Sequence, residues 1–448
     1  MSDRSDPVPP CTVRAALPDP APAAVLVGLS GGLDSSVLLH ALSQRPQYRS
    51  AGLRALHVHH GLHADADAWA EHCAAVCAAL AIPLQVLRVQ VPRDSGLGLE
   101  AAARQARRAA FAQALAAGEW LALAQHRDDQ AETFLLRALR ASGPDALAAM
   151  QGLRPFADGM LWRPLLALPR GDLHAYALRH ALRWIEDPSN ADPGFDRNFL
   201  RLHVLPLLRQ RWPQADAALA RSAQLCGEAG ALLDDGDQAA LEAARDGAAA
   251  SLSLPRLRAL PAPRRARVLR RWVAQAGLPP LPAAGLAAIE RDLLHARADA
   301  SAQFAWHGAT LRCWRDALYA ERDPPPLPAD WHAHWDGRAP LALPDGRHLR
   351  LLADAPLGFD APLRVRLRQG GERILLPGRA HSQALKQVLQ DRAVPPWQRA
   401  RLPLLFDAER LQAAGADILA APLHAWLQAH GARLALDAAA TPSSPASH

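Results

Sequence analysis

The sequence predicts an α/β fold: a doubly wound parallel sheet, followed by a helical domain and a small α+β C-terminal domain. Three observations support this prediction. Short apolar runs alternate with helix-length segments from Ala23 to about Pro206, as in a parallel sheet covered by helices. Ala/Leu/Arg-rich helical sequence without such runs continues to about Ala320. A proline-rich stretch then precedes a region in which strand-like segments return.

The first domain is expected over residues 23–206. Its candidate strands are Ala24–Val27, Leu53–His59, Leu84–Val89 and Trp120–Ala124. Segments of helical length between them, such as Ala68–Leu80 and Glu100–Ala117, would cover the two faces of the sheet.

Two further domains are predicted after the sheet. Residues 207–322 read as the helical domain, with a cluster of arginines between Leu257 and Trp272, and residues 323–344 as a proline-rich linker. In the C-terminal domain, residues 345–436, we expect strands at Leu349–Leu352 and Leu363–Leu367 and one helix near Ser382–Gln390. Residues 1–22 and 437–448 are expected to be a disordered leader and tail.

Composition excludes several classes of protein. The five cysteines are odd in number and scattered, which argues against a disulfide framework. No uninterrupted apolar run reaches membrane-spanning length, and the first residues lack the pattern of a secretory signal. We therefore expect a cytoplasmic protein. The net charge of +6 is compatible with a polyanionic partner, but Lys386 is the single lysine, so the abundance of arginine reflects compositional bias.

The segment from Ser30 to Ser36, SGGLDSS, carries the strongest chemical signal. It follows a candidate strand and opens a helix at about Ser35. Adjacent glycines allow backbone N–H groups to turn inward as an anion site, and the helix N-terminus adds partial positive charge. The loop lacks the Gly-Lys-Ser/Thr ending of a Walker A loop. The alternative is a simple Gly-Gly turn with a serine cap.

This segment resembles the pyrophosphate loop of the N-type ATP pyrophosphatases, which cleave ATP between the α- and β-phosphates and adenylate a carbonyl-type oxygen. The resemblance implies that ATP binds at the loop. The residues that it assigns to the nucleotide are Ser30, Gly31, Gly32, Leu33, Asp34 and Ser35. The loop alone does not distinguish among GMP and NAD synthetases, asparagine synthetase and tRNA thiolases.

Two further motifs lie at the carboxyl ends of candidate strands. In a parallel α/β sheet, ligands bind at the carboxyl ends of the strands. The segment from His57 to Leu62, HVHHGL, could border the nucleotide, or its histidines could simply satisfy loop backbone groups. In the segment from Ala124 to Thr133, AQHRDDQAET, Asp128 and Asp129 would converge with Asp34 to hold Mg²⁺. Acidic residues at a helix start also serve as ordinary caps.

A third motif runs from Trp184 to Asn190 and leads into Asp196–Arg201. Together the three motifs resemble the tRNA(Ile)-lysidine synthetases across nearly the whole chain. In that family this stretch contributes an arginine to the reaction. Arg197 is the matching position, with Arg201 second, and its planar charge could stabilise the α-phosphate during displacement. The alternative is a surface arginine paired with Asp187 or Asp196.

The same resemblance implies tRNA contacts outside the first domain. The residues assigned to them are Arg264 and Arg265 in the helical domain and Arg379 and Lys386 in the C-terminal domain. The family usually has two neighbouring lysines where this chain has Lys386 followed by Gln387, so the phosphate contacts would be weaker, or shared with Arg379 and Arg392.

The implied reaction is ATP-dependent ligation of L-lysine to C2 of the wobble cytidine of an isoleucine tRNA, forming lysidine and changing codon reading from AUG to AUA. Asp34, Asp129 and Arg197 are the implied catalytic residues, and a homodimer is implied as possible. A tRNA thiolase would need sulfur-handling cysteines, and none lies beside the three motifs in the sequence. An amidotransferase-coupled synthetase would need a glutamine-hydrolysing module, and a non-catalytic RNA-binding protein would be expected to lose the loop or the Asp128-Asp129 pair.

Overall fold

The computed structural model describes residues 12–19, 21–91, 99–246, 251–295, 302–322, 327–328 and 330–437. The chain forms two compact units that divide between Asp235 and Gly236. No helix among the described residues is both long and apolar enough to cross a membrane.

A six-stranded sheet forms the centre of the first unit. Its strands are β1 (Val25–Gly28), β2 (Leu53–His59), β3 (Leu84–Arg88), β4 (Trp120–Ala122), β5 (Leu153–Phe156) and β6 (Gly159–Trp162). The order is β3-β2-β1-β4-β6-β5, and every pairing is parallel except that of the hairpin β5–β6. The predicted parallel sheet is confirmed, and the four candidate strands agree with β1 to β4 to within two residues at each end.

Helices cover both faces of this sheet. The helices of this part of the chain are α1 (Thr12–Ala15), α2 (Leu33–Ser43), α3 (Pro46–Gly52), α4 (Ala66–Ala79), α5 (Leu99–Ala114), α6 (Arg127–Leu139), α7 (Pro144–Leu147), α8 (Arg170–Arg179), α9 (Asp196–Phe199), α10 (Leu205–Arg211) and α11 (Ala215–Ala244). Alternation along β1 sends Val25 and Val27 into one core and Leu26 into the other. The sheet is therefore buried on both faces, as a doubly wound fold requires.

Part of the segment expected to be a disordered leader is folded. Val13 and Leu17 are buried in the core against α2 and α8, and the hydroxyl of Tyr48 donates to the carbonyl of Pro18 at 2.8 Å. Two apolar side chains four residues apart are enough to anchor one helical turn when a core offers them a surface. Residues 1–11 and 20 lie outside the described residues.

The second unit begins with a mostly helical region, as predicted, which also contains an antiparallel sheet. After the end of α11 come α12 (Leu254–Ala259), α13 (Ala262–Gln275) and α14 (Ala283–Ala288). The sheet has the order β7-β10-β9-β8, formed by β7 (Ser251–Ser253), β8 (Gln303–Trp306), β9 (Ala309–Trp314) and β10 (Ala317–Arg322).

The expectation that this region contains no strands was wrong. The segments that form β9 and β10, ATLRCW and ALYAER, are rich in alanine and arginine, which favour helices. Tight turns decide the outcome, because His307, Gly308 and Arg315 have positive φ and reverse the chain between consecutive strands. Without an Asn-Gly or Asp-Gly pair, neither hairpin was evident in the sequence.

The C-terminal region is α+β, as predicted. Its strands are β11 (His332–Trp335), β12 (Leu341–Ala342), β13 (His348–Leu352), β14 (Leu363–Leu367), β15 (Arg373–Ile374), β16 (Gln383–Ala384), β17 (Pro403–Asp407), β18 (Arg410–Ala414), β19 (Ile418–Leu419) and β20 (Arg433–Asp437). Its helices are α15 (Leu385–Asp391), α16 (Pro396–Arg399) and α17 (Ala421–Ala429). The main sheet has the order β11-β14-β17-β18-β19. α15 is the predicted helix, and the other two helices were not expected.

The stretch predicted as linker is partly structured. β11 and β12 fall within it, and Trp335 is buried in the C-terminal core. Residues 323–326 and 329, the proline-rich part, lie outside the described residues, as do residues 438–448 of the predicted tail. Asp437, the first residue of that tail, is the last residue of β20. The remaining domain boundaries stay a prediction.

Candidate active site

The phosphate loop closes on itself through serine hydroxyls. The Oγ of Ser35 accepts from the backbone N–H of Ser30 at 3.2 Å and donates to the carbonyl of Gly32 at 3.1 Å. α2 begins at Leu33, so the N–H groups of Leu33, Asp34 and Ser35 have no acceptor within the helix. These N–H groups and the positive end of the helix form the kind of site that binds phosphate.

Gly31 occupies a position that strongly favours glycine. Its φ is +86°, and a Cβ added there would lie 2.7 Å from Cδ1 of Ile185 and 3.1 Å from Sγ of Cys73. The backbone N–H of Ile185 donates to the carbonyl of Gly31 at 2.9 Å, so the third motif packs directly on the loop. The side chain of Leu33 is buried in the core, which leaves its backbone N–H as the group that could bind a nucleotide.

His126, at the start of α6, lies among three carboxylates, two from α6 and one from the start of α2. Its Nε2 is 3.6 Å from Asp34 and 3.5 Å from Asp129, and its Nδ1 is 3.7 Å from Asp128. Burial by itself would lower the pKa of His126, but the interaction with Asp34 and the charges of the three aspartates outweigh burial and raise the pKa. The predicted convergence of Asp34 with the Asp128-Asp129 pair is thus present, and a buried histidine lies within it.

Glu132, one helical turn after Asp129, holds two arginines. Its side chain is wholly buried; the Nε of Arg197 donates to it at 2.6 Å and that of Arg201 at 2.7 Å. Both arginines also approach Oδ1 of Asp129, at 3.1 and 3.2 Å. Burial lowers the pKa of Arg201, but its bonds to Glu132 and the nearby carboxylates produce a net rise. Both guanidiniums are therefore fixed from two sides, by Glu132 and by Asp129.

The alternative role of Arg197 as a surface arginine paired with Asp187 or Asp196 was wrong. Asp196 is 3.4 Å from Arg140, and Asp187 accepts the backbone N–H of Ser189 at 2.8 Å as the cap of a short 3₁₀ helix. Arg197 instead turns towards α6, because Glu132 offers a buried carboxylate there.

The aspartates differ in how much of their bonding capacity the protein already uses. Asp128 accepts from the backbone N–H of Arg170 at 3.0 Å and from Arg209 at 2.9 Å. Asp129 accepts from the backbone N–H of His126 at 3.0 Å and from the two arginines. Oδ1 of Asp34 is buried without a hydrogen-bond partner among the described residues.

The site fits a Mg²⁺ ion that takes most of its ligands from a nucleotide. Among the described residues there is no group of three or more His, Cys, Asp and Glu side chains arranged to hold a metal. Mg²⁺ in triphosphate sites is usually bound by one or two carboxylates plus phosphate oxygens. Oδ1 of Asp34 is the oxygen most ready for that role, and Oδ2 of Asp129 has a lone pair left beyond its one hydrogen bond.

The histidines of the second motif have structural partners. His57 lies with its Nδ1 2.9 Å from the carbonyl oxygen of Leu29 and 3.4 Å from Sγ of Cys73. Burial lowers the pKa of His57, so the ring is neutral and can donate to that carbonyl. His59 is 3.2 Å from Asp67. These contacts favour the interpretation that His57 and His59 satisfy local groups, and His57 fixes the end of β1 just before the loop.

Cys73 corrects the expectation that no cysteine lies near the motifs. α4 brings it against both His57 and Gly31, a contact that sequence distance concealed. Burial raises the pKa of this thiol to about 12, and that of Cys77 to about 11. Both cysteines are therefore inert core side chains rather than nucleophiles.

In the second unit, the two predicted RNA contacts on α13 have internal partners. Arg265 donates to both oxygens of Glu290, at 2.8 and 2.6 Å, and to three backbone carbonyls. Arg264 is 3.3 Å from the buried carboxylate of Asp237. These contacts give Arg265 a structural role, since its donors are occupied and its side chain is 11% exposed.

Arg379 and Lys386, the other two predicted RNA contacts, are exposed. Arg379 follows the turn after β15, and Lys386 lies in the first turn of α15 beside the buried Leu385. Their role in RNA binding stays a prediction.

Sequence reasoning did not single out Glu132, His126 or Arg209, although each contacts a predicted site residue. A signal existed for Glu132, because spacing of three residues on a helix places it on the same face as Asp129. Arg209 gave no such signal, since it lies eighty-one residues from Asp128.

Comparison with known proteins identifies relatives over most of the chain. Family models match as a PP-loop domain over residues 12–208, a TilS substrate binding domain over residues 252–319 and a TilS substrate C-terminal domain over residues 363–436. The chain is 61% identical to the tRNA(Ile)-lysidine synthase of Xanthomonas axonopodis pv. citri, covering 96% of this chain and 98% of that protein. It is 56% identical to that of Xylella fastidiosa strain Temecula1, covering 93% and 96%, and 44% identical to that of Shigella flexneri, covering 87% and 91%.

Proposed function

The chain belongs to the tRNA(Ile)-lysidine synthase family, and from this premise we propose that it uses ATP to join L-lysine to C2 of the wobble cytidine of an isoleucine tRNA. The observation that supports this function best is the convergence on the phosphate loop. Asp34 from the loop, His126 and Asp129 from α6, and Arg197 from α9 form one connected network. That network combines a phosphate site with fixed positive charge.

ATP is proposed to bind with its phosphates on the N-terminus of α2. The free N–H groups of Leu33, Asp34 and Ser35 would neutralise the phosphate charge. Mg²⁺, held by Asp34 and Asp129, would supply further neutralisation of the triphosphate when bound. Asp128 is the weaker candidate ligand, because the backbone of Arg170 and the side chain of Arg209 already use both of its oxygens.

The first chemical step is proposed to be attack by the 2-carbonyl oxygen of the cytidine on the α-phosphorus of ATP, with release of pyrophosphate. Negative charge then builds on the α-phosphate oxygens. Arg197 and Arg201 are held in place by Glu132 before the reaction begins, so their charge can stabilise that state without reorganisation. The side-chain amine of lysine then attacks C2 and AMP leaves.

The tRNA is proposed to present its anticodon loop, because single-stranded bases are accessible to side chains whereas the bases of an RNA helix are not. Arg379 and Lys386 are proposed to contact phosphates of the same RNA. Arg264 is a weaker candidate and Arg265 the weakest, given their ion pairs within the protein. A cytoplasmic location and a homodimer also remain predictions.

A tRNA thiolase on the same fold is disfavoured by the chemistry of the cysteines. Sulfur transfer through the enzyme would need a thiolate near the nucleotide. Cys73 is the cysteine in contact with the loop, and its pKa of about 12 keeps it protonated at neutral pH.

The test is incorporation of labelled L-lysine into tRNA by the purified protein with ATP and Mg²⁺. We expect incorporation confined to an isoleucine tRNA with a wobble cytidine, and none when ATP is omitted. Asp34→Asn should abolish both incorporation and tRNA-dependent pyrophosphate release, while the matched change Asp158→Asn, at an exposed aspartate in the β5–β6 turn, should leave both intact.

Two results would contradict the proposal in different ways. Pyrophosphate release stimulated by tRNA without lysine incorporation would support adenylation but eliminate lysine as the nucleophile. Full activity of Asp34→Asn would eliminate the assigned site.

A further inference from the structure

A cavity of about 480 Å³ lies in the second unit. It is formed where the end of β14 meets α16 and the chain that follows it. The residues that line it are Leu327, Leu367, Arg368, Gln369, Trp397, Ala400 and Arg401. Its volume is within the range of small-molecule sites, which is about 300–1,000 Å³. The cavity contains none of the residues assigned above to RNA or nucleotide.

Arginines crowd around this cavity. Burial lowers the pKa of Arg399, and the charges of Arg368 and Arg315 lower it further. Burial also lowers the pKa of Arg401, where the nearby Asp345 acts in the opposite direction and Arg347 adds to the lowering. The arginines of the cluster therefore repel one another, although Asp345 partly neutralises Arg401. An anion entering the cavity would relieve the repulsion.

Aromatic rings alternate with these arginines. The guanidinium of Arg312 lies over the ring of Trp397, 5.5 Å from its centroid, and that of Arg315 lies 4.6 Å from the centroid of Trp314. Tyr319 meets Trp397 edge to face at 5.4 Å. Trp397 is thus braced from β9 and β10 while part of its ring lines the cavity. Proteins that bind unpaired nucleotides typically combine arginine and aromatic side chains in this way.

Two hydrogen-bond donors at the cavity have no partner. Nε1 of Trp397 and Nε of Arg368 are both buried without a hydrogen-bond acceptor among the described residues. Nε of Arg368 lies 3.6 Å from Oε2 of Glu372, which is beyond hydrogen-bonding distance. Leaving a buried donor unsatisfied costs free energy that an acceptor would recover after a small side-chain shift.

We propose that this cavity binds one unpaired nucleotide of the RNA substrate, with its phosphate on Arg368 and Arg401 and its base stacked on Trp397. The proposal rests on the proposed function for the identity of the RNA. Phosphate is the ligand chemistry that the arginines favour, and the indole ring distinguishes a nucleotide from inorganic phosphate. A free nucleotide such as ATP offers the same chemistry and is the other possible source.

The experiment is photo-cross-linking of the full-length protein to substrate tRNA that carries 4-thiouridine, with mass spectrometry of the cross-linked peptides. We expect a cross-link in the peptide that contains Trp397, unaffected by excess ATP. Loss of that cross-link on adding ATP would assign the cavity to free nucleotide and overturn the RNA proposal. Its absence from every tRNA preparation would overturn it as well.

Binding measurements provide a second, independent readout. Arg368→Gln should weaken tRNA binding about tenfold at low salt and reduce the slope of log Kd against log salt by about 0.7–0.9, the value of one phosphate contact. Trp397→Leu should weaken binding by a similar factor with an unchanged slope, because stacking carries no charge. If Trp397→Leu unfolds, Trp397→Phe replaces it; this variant keeps a ring for stacking and removes the N–H group, so it should weaken binding by a smaller factor, again with an unchanged slope.

The matched control is Arg410→Gln, which removes the same charge from an exposed position on β18. Equal effects of Arg368→Gln and Arg410→Gln would show a general charge effect and refute a site at the cavity. Lysine incorporation at saturating tRNA separates this inference from the proposed function. If Arg368→Gln incorporates lysine normally and binds tRNA as tightly as the wild type does, the nucleotide site at the cavity is refuted and the proposed function stands. If the wild-type protein fails to incorporate lysine, the proposed function is refuted.

Discussion

Replacing Glu132 by glutamine tests whether the two arginines act because they are held in place. The substitution keeps the shape of the side chain and one acceptor oxygen but removes the charge that binds Nε of both Arg197 and Arg201. Asp129 would then be the remaining carboxylate in contact with the pair. Two guanidiniums that share one acceptor repel each other, so at least one is expected to swing towards solvent.

The expected loss of stability follows from burial. Removing one partner of a fully buried ion pair costs about 3–5 kcal/mol. Arg197 and Arg201 are 26% and 29% exposed, so water screens part of that cost, and glutamine still accepts a hydrogen bond. We expect a destabilisation of about 2 kcal/mol, which corresponds to a fall in Tm of roughly 4–8 °C for a unit of this size.

The expected loss of activity is larger than the loss of stability suggests. Removing a preorganised donor to a developing negative charge typically lowers kcat about 10²–10³-fold. Glu132→Gln should therefore lower kcat for tRNA-dependent pyrophosphate release by about 10²-fold, measured well below the Tm. The KM for ATP should change by no more than about threefold, because the N–H groups of the phosphate loop are untouched.

Glu119→Gln is the matched control. Glu119 is also a buried carboxylate, 4% exposed, and binds Arg54 through two hydrogen bonds of 2.7 and 2.6 Å. Glu119 immediately precedes β4, at the amino-terminal end of the parallel strands, whereas the phosphate loop lies at their carboxyl end. Glu119→Gln should lower Tm comparably and leave kcat unchanged. Equal kcat values for the two variants would refute the reasoning, since Glu132 would then be a structural residue only.

Three further predictions concern the loop, pH and RNA. Gly31→Ala should weaken ATP binding at least tenfold in an equilibrium binding assay, because φ of Gly31 is +86° and an added Cβ would lie 2.7 Å from the side chain of Ile185. Gly61→Ala is the control and should leave ATP binding unchanged, because Gly61 also has a positive φ but nothing lies within 4 Å of its added Cβ. The midpoint of urea unfolding should fall as the pH drops from 7 to 5. Burial lowers the pKa of His57 in the folded protein, so as the pH falls through the ordinary value of 6.5 the unfolded chain takes up this proton first and is stabilised. A midpoint that is just as pH-sensitive in His57→Gln would contradict this. Lys386→Gln should reduce the salt slope of tRNA binding by about 0.9, whereas Arg265→Gln should lower Tm and leave the slope unchanged; the reverse pattern would restore Arg265 as an RNA contact.

The signals that could be read from the linear chain are those written within a few consecutive residues. The run before Ser30, the two glycines and the helix start are adjacent in sequence, so the phosphate loop and the parallel strands could be predicted without coordinates. The Asp128-Asp129 pair was found for the same reason. Family resemblance then added Arg197, which local chemistry alone would not have distinguished from a surface arginine.

The partners of those residues depended on contacts between distant segments. Arg197 lies sixty-five residues from Glu132, and sixteen separate Cys73 from His57. No pattern along the chain indicates which buried carboxylate an arginine meets, since that depends on how helices cross over the sheet. The sheet at β8–β10 was missed for a related reason: tight turns, and burial of side chains such as Leu311 and Leu318, hold helix-favouring residues in strands. Motifs made of neighbouring residues can thus be identified in the sequence. Which charges pair, and whether a segment becomes a strand or a helix, depends on packing in the folded protein.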